Sequence, residues 1–217
     1  ATDGIPILGT SVSEYGVALG VENFAGTVGA NVSGTSDLAP LDQQAKMLLD
    51  WLPDAKQVGI LNCSREANSL YQVETVQQYL EELGYTCTQY AFTDSNDLSA
   101  VCQYAAAHSE VLYIPTDNTC DSNALLIDNL CRPAGVPVFT GDEGTCKGCG
   151  VATLTIDYYD IGYVTGKMAA KILTGEAQAC DMPIQYAPRV TPKYNRAVCE
   201  ELGLTPPTDD YVPIAGT

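Results

Sequence analysis

Two pairs of polar residues come directly behind predicted strands. Asp117 and Asn118 come shortly after the strand Val111–Ile114, and Asp142 and Glu143 follow the next strand along the chain. The carboxyl ends of parallel strands form the ligand-binding edge of an open α/β sheet. Carboxylates and an amide at that edge suit a small polar molecule, including one that carries an ammonium group. No nucleophile is paired with a base in this pattern, which favours binding over catalysis.

A third polar segment follows the predicted strand Gln57–Asn62. It contains Ser64, Asn68 and Ser69 and begins a predicted helix. The first turn of a helix presents unpaired N–H groups and a partial positive charge, which attract a carboxylate or a phosphate. The same residues could simply cap the helix, and one segment can do both. The segment is not a P-loop, because no glycine-rich run ends in Lys-Ser or Lys-Thr.

Thr10 and Ser11 follow the predicted strand Ile5–Leu8 and lie at the same kind of edge, or form a polar turn. Alternatives also stay open for the other residues. The polar pair behind the strand Val111–Ile114 could cap a helix, and the acidic pair behind the next strand could lie in a solvated turn. Tyr158 could pack in the core or contact a ligand.

Composition excludes several classes of function. The 217 residues include 10 basic and 27 acidic ones, for a formal charge of −17. That charge repels a phosphate backbone, so no nucleic-acid partner is expected. No apolar run approaches the roughly 18 residues needed to span a bilayer. The Gly-x-Ser-x-Gly signature of a nucleophile elbow is missing, and the single histidine, His108, has no evident catalytic partner, so no enzyme is predicted.

Nine cysteines are present, and only Cys146 and Cys149 form a local pair with metal-ligand or redox spacing. A structural zinc site would need two further ligands, and the only histidine lies in another segment. A local disulfide and free thiols in a turn are the remaining alternatives. We expect no metal and no cofactor.

Strand and helix signals alternate along the chain, which predicts the α/β class with doubly wound parallel sheets. The predicted strands are Ile5–Leu8, Gln57–Asn62, Thr86–Phe92, Val111–Ile114, Val136–Thr140 and Val151–Ile156. The predicted helices are Val17–Asn23, Leu41–Trp51, Ala67–Leu83, Leu98–His108, Asn123–Cys131, Tyr159–Leu173 and Asn195–Leu202. Extended segments on both sides of the helix Ile161–Leu173 suggest a chain that passes between two lobes and returns.

Several segments together resemble one family, the ABC-transporter substrate-binding proteins of the tryptophan/aromatic amino-acid type. The segments are Ile5–Val12, Gly29–Asp37, Leu52–Gly59, Glu66–Ser69, Val111–Asn118, Val136–Glu143 and Ile156–Gly162. The resemblance implies a two-lobed type I periplasmic-binding-protein fold. Family members are longer at the N-terminus, so we expect upstream sequence to be missing.

The resemblance implies one partial and one complete lobe. Residues 1–55 and 158–183 would form the partial first lobe, and residues 56–157 and 184–207 the second. Residues 208–217 are predicted to be a C-terminal tail. Dimerisation through the incomplete lobe is expected, because missing strands expose an edge and apolar surface.

The resemblance also implies reversible binding of a small amino acid-like ligand, with an aromatic side chain, between two lobes. Asp142, with Asp117 as a second candidate, would meet the ammonium group. Ser64, Asn68 and Ser69 would hold the carboxylate together with the amides of the helix N-terminus.

Thr10 and Ser11 would close on the ligand from the first lobe, and Tyr158 would line the aromatic pocket. The implied partner is an ABC permease in the membrane. The implied location is extracytoplasmic, as a cell-surface lipoprotein or a periplasmic protein. The alternative is a sensory or regulatory ligand-binding domain of the same fold.

Overall fold

The computed structural model describes residues 4–217. Within them the strands are β1 (Ile7–Gly9), β2 (Val32–Gly34), β3 (Gln57–Cys63), β4 (Thr86–Phe92), β5 (Val111–Ile114), β6 (Val138–Thr140), β7 (Ala152–Ile156), β8 (Val190–Tyr194) and β9 (Val212–Pro213). The helices are α1 (Tyr15–Leu19), α2 (Leu41–Trp51), α3 (Ala67–Glu82), α4 (Ser95–His108), α5 (Asn118–Ser122), α6 (Ala124–Cys131), α7 (Glu143–Cys149), α8 (Tyr158–Leu173) and α9 (Arg196–Leu202). No helix of this described part is long and apolar enough to cross a membrane.

A seven-stranded sheet runs in the order β4-β3-β5-β6-β7-β8-β9. Strand β3 pairs in parallel with β4 and β5, β5 with β6, β6 with β7, and β8 with β9. Helices α2, α3 and α9 contribute to the core on one face, and α4 to α7 to the core on the other. Apolar residues on both faces of β3 and β5 explain this coverage. The predicted α/β class with a doubly wound parallel sheet is confirmed.

The chain divides into two compact units. The smaller unit runs to Ala39 and includes Ile156–Val190, and the larger unit comprises Pro40–Thr155 and Thr191–Thr217. This division differs from the predicted lobes in three segments, the shortest being residues 156 and 157, which belong to the smaller unit. Residues 40–55 belong to the larger unit, because α2 packs into the core formed with β3 and α3. Residues 184–190 belong to the smaller unit, where Gln185 bridges to Thr35. Residues 1–3, the start of the predicted first lobe, lie outside the described residues.

The smaller unit contains the parallel pair β1-β2. Gly34, at the end of β2, has a φ of 149°, in the region that favours glycine. A Cβ atom at this position would overlap the Gly9 carbonyl oxygen and the Tyr15 hydroxyl. The Tyr15 hydroxyl donates to the Thr35 carbonyl at 3.2 Å, which holds the end of β2 beside the end of β1. The close approach of the two strand ends therefore requires glycine at position 34.

Residues 208–217 do not form the predicted tail. Strand β9 pairs with β8, and the Ile214 amide donates to the Tyr194 carbonyl at 2.9 Å. The Tyr211 ring packs edge-on against Trp51, with ring centroids 5.2 Å apart. Ile214 is only 3% exposed. Burial of these apolar side chains draws the segment onto the sheet, which the Pro-rich sequence before it did not indicate.

The contribution of this segment to stability can be tested with two neighbouring aliphatic residues. Ile214→Ala removes a buried side chain and leaves a cavity, so we expect a loss of about 2–4 kcal/mol in the free energy of unfolding. Val212→Ala is the control, because Val212 is 49% exposed and its truncation should change stability by no more than about 0.5 kcal/mol. Equal, small effects in urea denaturation would show that the segment is not part of the core.

Candidate functional site

The predicted ligand-binding residues of the larger unit meet at one edge of its sheet. Strands β3, β5 and β6 are neighbours in the sheet order and run parallel. Their carboxyl ends therefore point the same way, and the segments that follow them lie side by side. These segments carry Ser64, Asn68 and Ser69 after β3, Asp117 and Asn118 after β5, and Asp142 and Glu143 after β6.

The Asp117 side chain links several elements at this edge of the sheet. Its side chain is 1% exposed, and one carboxylate oxygen accepts from the Cys63 amide at 2.7 Å and from the Ser69 hydroxyl at 2.6 Å. The other oxygen accepts from the Cys120 amide at 2.9 Å and so caps α5. The carboxylate thus ties together β3, α3 and α5. Both oxygens accept hydrogen bonds within the fold, and a contact of Asp117 with a ligand ammonium stays a prediction.

Asn118 is exposed, but it is engaged with Glu66. Its backbone and side-chain nitrogens both donate to one Glu66 carboxylate oxygen at 2.9 Å, and the amide and hydroxyl of Thr119 donate to the other at 2.9 and 2.6 Å. Burial acts to raise the pKa of Glu66, but the hydrogen bonds from Thr119 and Asn118 outweigh it and lower the pKa. Glu66 therefore stays ionised and stabilises the start of α5. No local pattern predicts this contact, because its partners are more than 50 residues apart along the chain.

Asn68 and Ser69 hold the loop between β5 and α5. The Thr116 carbonyl accepts from the Asn68 side-chain nitrogen at 2.9 Å and from the Ser69 hydroxyl at 3.4 Å. Gln72, one turn further along α3, donates to the same carbonyl at 3.4 Å and accepts from the Thr116 amide at 3.1 Å. These contacts set the position of Asp117. Gln72 was missed because a glutamine inside a helix gives no binding signal.

The N-terminus of α3 lacks the side-chain cap found at neighbouring helices. Glu66 makes no capping hydrogen bond to α3, whereas α5 is capped by Asp117 and α7 by Asp142. Ser64 is exposed, and its hydroxyl donates to the Phe92 carbonyl at 3.0 Å, so it does not cap α3 either. The first turn of this 16-residue helix therefore has no side-chain cap, and helix N-termini of this kind attract anions.

Asp142 and Asp121 form an acidic pair at the start of α7. Asp142 caps that helix, accepting from the amide and the hydroxyl of Thr145, both at 2.9 Å. A Cβ atom placed on Gly144 would lie 2.6 Å from an Asp121 oxygen and 3.2 Å from an Asp142 oxygen, so both carboxylates face this glycine. Burial raises the pKa of Asp142 above its usual value, and the Asp121 charge adds to the rise, although the bonds from Thr145 oppose it. A cation would relieve this repulsion.

Glu143 is not part of this pair. Its carboxylate accepts from the Lys193 ammonium at 2.6 Å in a half-exposed ion pair between α7 and β8. A carboxylate that already has a cationic partner gains less from a ligand ammonium than the acidic pair does. The neighbouring residues Asp142 and Glu143, predicted together from the sequence, therefore have different electrostatic surroundings.

In the smaller unit, hydroxyl groups cluster at the carboxyl ends of β1 and β2. The Thr165 hydroxyl lies 2.7 Å from the Thr35 hydroxyl and donates to the Thr10 hydroxyl at 3.2 Å. Ser11 has a φ of 55°, in the left-handed region that few non-glycine residues occupy. Strained residues of this kind concentrate at functional sites. Thr10 is exposed, and the contact of Thr10 and Ser11 with a ligand stays a prediction.

Asp37 is a further acidic residue that the sequence analysis missed. It follows β2, and the Ser13 hydroxyl donates to its carboxylate at 2.8 Å. Burial raises the pKa of Asp37, although the hydrogen bond from Ser13 opposes the rise. Its position behind a strand was the available signal, and the three-residue length of β2 concealed it.

Tyr158, the first residue of α8, is 50% exposed and so is not a core residue.

The Cys146 and Cys149 pair lies within α7, where both thiols are buried. Both thiols are free in this structure, but the predicted turn is wrong, because the segment is helical from Glu143 onwards. Among residues 4–217, no group of three or more histidine, cysteine, aspartate or glutamate side chains is arranged to hold a metal ion.

Comparisons with known proteins agree with this geometry. Residues 1–210 match the sequence pattern of one protein family, described as ABC transporter substrate binding protein. A protein named tyrosine-binding protein, from Clostridioides difficile (strain R20291), is 29% identical over 184 residues, which cover 85% of this chain and 53% of that protein. The chain thus spans about half the length of this curated relative.

Two solved structures are similar over nearly the whole chain. One is the ABC domain in complex with L-Trp from Streptococcus pneumonia, with 25% identity and a TM-score of 0.86 over 98% of this chain and 74% of that one. The other is a ligand-free, open substrate binding protein with adhesive properties from Clostridium difficile. It has 32% identity and a TM-score of 0.80 over 99% of this chain and 72% of that one.

The structural role of Asp117 can be tested by substitution. Asp117→Asn removes the charge and leaves one of the three buried donors without a good acceptor, so we expect a loss of about 2–4 kcal/mol in the free energy of unfolding. The control is Asp209→Asn, at an exposed position outside the polar segments of this edge, where a change within about 0.5 kcal/mol is expected. Urea denaturation distinguishes the two, and an unchanged midpoint for Asp117→Asn would contradict this role.

Substitution of Asp142, unlike that of Asp117, should become more favourable to stability as pH rises. The raised pKa of Asp142 means that ionisation of its carboxyl group opposes folding. The protonated side chain therefore contributes its full stability below the unfolded-state pKa, and this stability is lost as pH rises through the folded-state pKa. Asn keeps a side-chain acceptor for the Thr145 amide. We therefore expect Asp142→Asn to gain stability relative to the natural protein as pH rises from about 3.5 to 7.

Denaturation curves at several pH values measure that difference. The free energies of unfolding of the variant and of the natural protein are compared at each pH. If their difference stays constant over this range, or if the variant loses stability relative to the natural protein as pH rises, the ionisation of Asp142 is not unfavourable. Glu143→Gln, at the neighbouring position, controls for a general loss of negative charge.

Proposed function

Because this chain belongs to the family of ABC transporter substrate binding proteins, we propose that it binds an α-amino acid with an aromatic side chain. In this proposal it works outside the cytoplasm and passes its ligand to the membrane permease of an ABC importer. One relative is named for tyrosine binding, and one similar structure contains L-Trp. Members of this family bind solutes and are not enzymes, in agreement with the absence of a nucleophile–base pair from the sequence pattern.

The observation that carries the proposal is the uncapped N-terminus of α3. At the same edge, α5 and α7 begin with an aspartate that satisfies a first-turn amide, but α3 does not. The glutamate before α3 instead directs its carboxylate to α5. A ligand carboxylate at α3 would accept from the first-turn amides and gain from the helix dipole. The Asn68 side chain lies on the same segment and has a second N–H to donate, whereas Ser64 would have to exchange its bond to the Phe92 carbonyl for one to the ligand.

The ammonium group of the same ligand fits the acidic pair of Asp142 and Asp121. The ends of β3 and β6 are separated by β5, so these two strand ends, which the two anchoring points follow, lie about 10 Å apart. Two hydrogen bonds of about 2.9 Å, with the head group of an α-amino acid between them, fill a gap of this order. Each charge-assisted hydrogen bond contributes about 1.5–3 kcal/mol, so a few such bonds support micromolar binding.

Thr10, Ser11 and Tyr158 belong to the smaller unit, and their contribution to ligand binding stays a prediction. Tyr158 is exposed enough to stack on an aromatic side chain, and the chain holds only three Phe and one Trp as alternatives to its 13 Tyr. Dimerisation through this unit also stays a prediction, which size-exclusion chromatography would test.

Analogues that lack one charged group test the two anchoring points separately. L-Tyrosine, tyramine, which lacks the carboxylate, and 3-(4-hydroxyphenyl)propionate, which lacks the ammonium, would be titrated by isothermal calorimetry. We expect Asp142→Asn to weaken tyrosine binding by about 10-fold or more, the cost of one charge-assisted bond. The same substitution should leave binding of the propionate unchanged or stronger, because that analogue has no ammonium to lose.

Glu143→Gln is the matched control and should leave tyrosine affinity within about 2-fold, since its carboxylate is already paired with Lys193. Affinity for tyrosine should also fall on acidification as Asp142 takes up a proton, and Asp142→Asn should lack this part of the pH dependence. Equal losses of affinity for tyrosine and for the propionate would show that Asp142 does not bind the ammonium group. Failure of a folded protein to bind tyrosine, tryptophan or phenylalanine would reject the ligand class.

A further inference from the structure

Five buried cysteines lie in one core of the larger unit, on the face of the sheet covered by α4 to α7. They are Cys63, Cys102, Cys120, Cys131 and Cys149. The Cys102 sulfur, from α4, lies 3.7 Å from the Cys131 sulfur, from α6. Two thiols in van der Waals contact within a packed core are positioned for bond formation, which neither residue's place in the sequence indicates.

We propose that Cys102 and Cys131 form a disulfide bond that links α4 to α6. The two sulfurs must approach by about 1.6 Å to reach the bond length of about 2.05 Å. Helices α4 and α6 already pack against each other within the same core. The bond would close a loop between residues separated by 29 positions, and this loop contains β5 and α5.

The neighbouring cysteines are held in other ways. The Cys149 thiol donates to the Thr145 carbonyl at 3.4 Å, and the Cys63 thiol donates to the Thr93 carbonyl at 3.5 Å. Cys120 lies in the same core, but a contact between its sulfur and another sulfur is not found among the described residues. Since no metal-binding group is present in that part of the chain either, the geometry favours a specific pair of thiols over a shared ligand set.

The bond forms by thiol–disulfide exchange with an oxidant that itself carries a disulfide. The Cys102 thiolate attacks the oxidant and displaces one of its sulfurs, and the Cys131 thiolate then attacks the mixed disulfide and displaces the second. Two protons leave the protein thiols, and two electrons pass to the oxidant, which becomes two thiols.

Burial decides when this exchange takes place. Cys102 and Cys131 are 0% and 1% exposed, so an oxidant reaches them before α4 and α6 pack, or during local opening. Oxidising compartments outside the cytoplasm supply such oxidants, in agreement with the proposed location. The inference itself stands on the sulfur geometry and does not depend on the identity of the ligand.

The bond would restrain the helices next to the candidate site. Helix α5 follows directly on the loop of Asp117, and Asn123 links it to α6. Fixing α6 to α4 therefore limits the opening of the segment that holds Asp117 and Asp121. In the chain-entropy description a loop of about 30 residues gives a substantial gain, and we expect the unfolding midpoint of the oxidised protein to rise by about 5–10 °C.

Peptide mapping of the intact protein tests the pairing directly. The protein, refolded with oxidised and reduced glutathione, would be alkylated under denaturing conditions and cleaved after aspartate and glutamate. These cleavages place Cys102 in fragment 98–110, Cys120 in 118–121 and Cys131 in 129–142. We expect fragments 98–110 and 129–142 to be joined, and dithiothreitol to separate them and to reverse the rise in the unfolding midpoint.

Variants supply the controls. Cys102→Ala and Cys131→Ala should each abolish the joined fragments and the redox-dependent shift, whereas Cys120→Ala should retain both. The mapping on the natural protein needs no variant, so it decides even where a substitution impairs folding. Joined fragments that include 118–121, or alkylation of both Cys102 and Cys131 after oxidative refolding, would overturn the assignment.

Discussion

The buried carboxylate of Asp117 is the interaction on which the arrangement of the candidate site depends. Its two oxygens receive hydrogen bonds from β3, α3 and the first turn of α5. A buried charge is tolerated only where such donors surround it, and here they come from three separate elements. Around this carboxylate, Asn68, Ser69 and Gln72 bind the neighbouring Thr116 backbone. The edge of the sheet is therefore organised before any ligand arrives, which reduces the entropy cost of binding.

Carboxylates at this edge have distinct roles because their surroundings differ. Glu66 is surrounded by donors and has a lowered pKa, whereas Asp142 faces another carboxylate, is largely buried, and has a raised pKa. Glu143 is neutralised by Lys193. Asp142 and Asp121 are two carboxylates that repel each other. Among the three helices that follow β3, β5 and β6, only α3 begins without a side-chain cap. In the proposed function, the N-terminus of α3 attracts the carboxylate of the amino acid and the acidic pair attracts its ammonium group.

Most of the regular structure follows from local sequence. The predicted bounds of Thr86–Phe92, Val111–Ile114 and Leu41–Trp51 agree with the structure to the residue, because apolar periodicity and turn residues mark their ends. Short elements were missed. Helix α5 has five residues and depends on Glu66, more than 50 residues away, for part of its N-terminal hydrogen bonding. Strand β9 has two residues and depends on β8 and on the burial of Ile214. Local patterns do not encode such distant partners.

The sequence by itself determined the α/β class, the family, and the three strand ends at which polar residues gather. These features depend on periodicity and on residue types along short stretches of chain. Only the tertiary structure decided which of those residues are free to act. Asp117 and Asp142 look alike in sequence, each following a strand and preceding a helix, yet one is saturated by donors from three elements and the other faces a second carboxylate. The cause is that hydrogen-bond donors and charges act through space, and the packing of distant segments sets their positions.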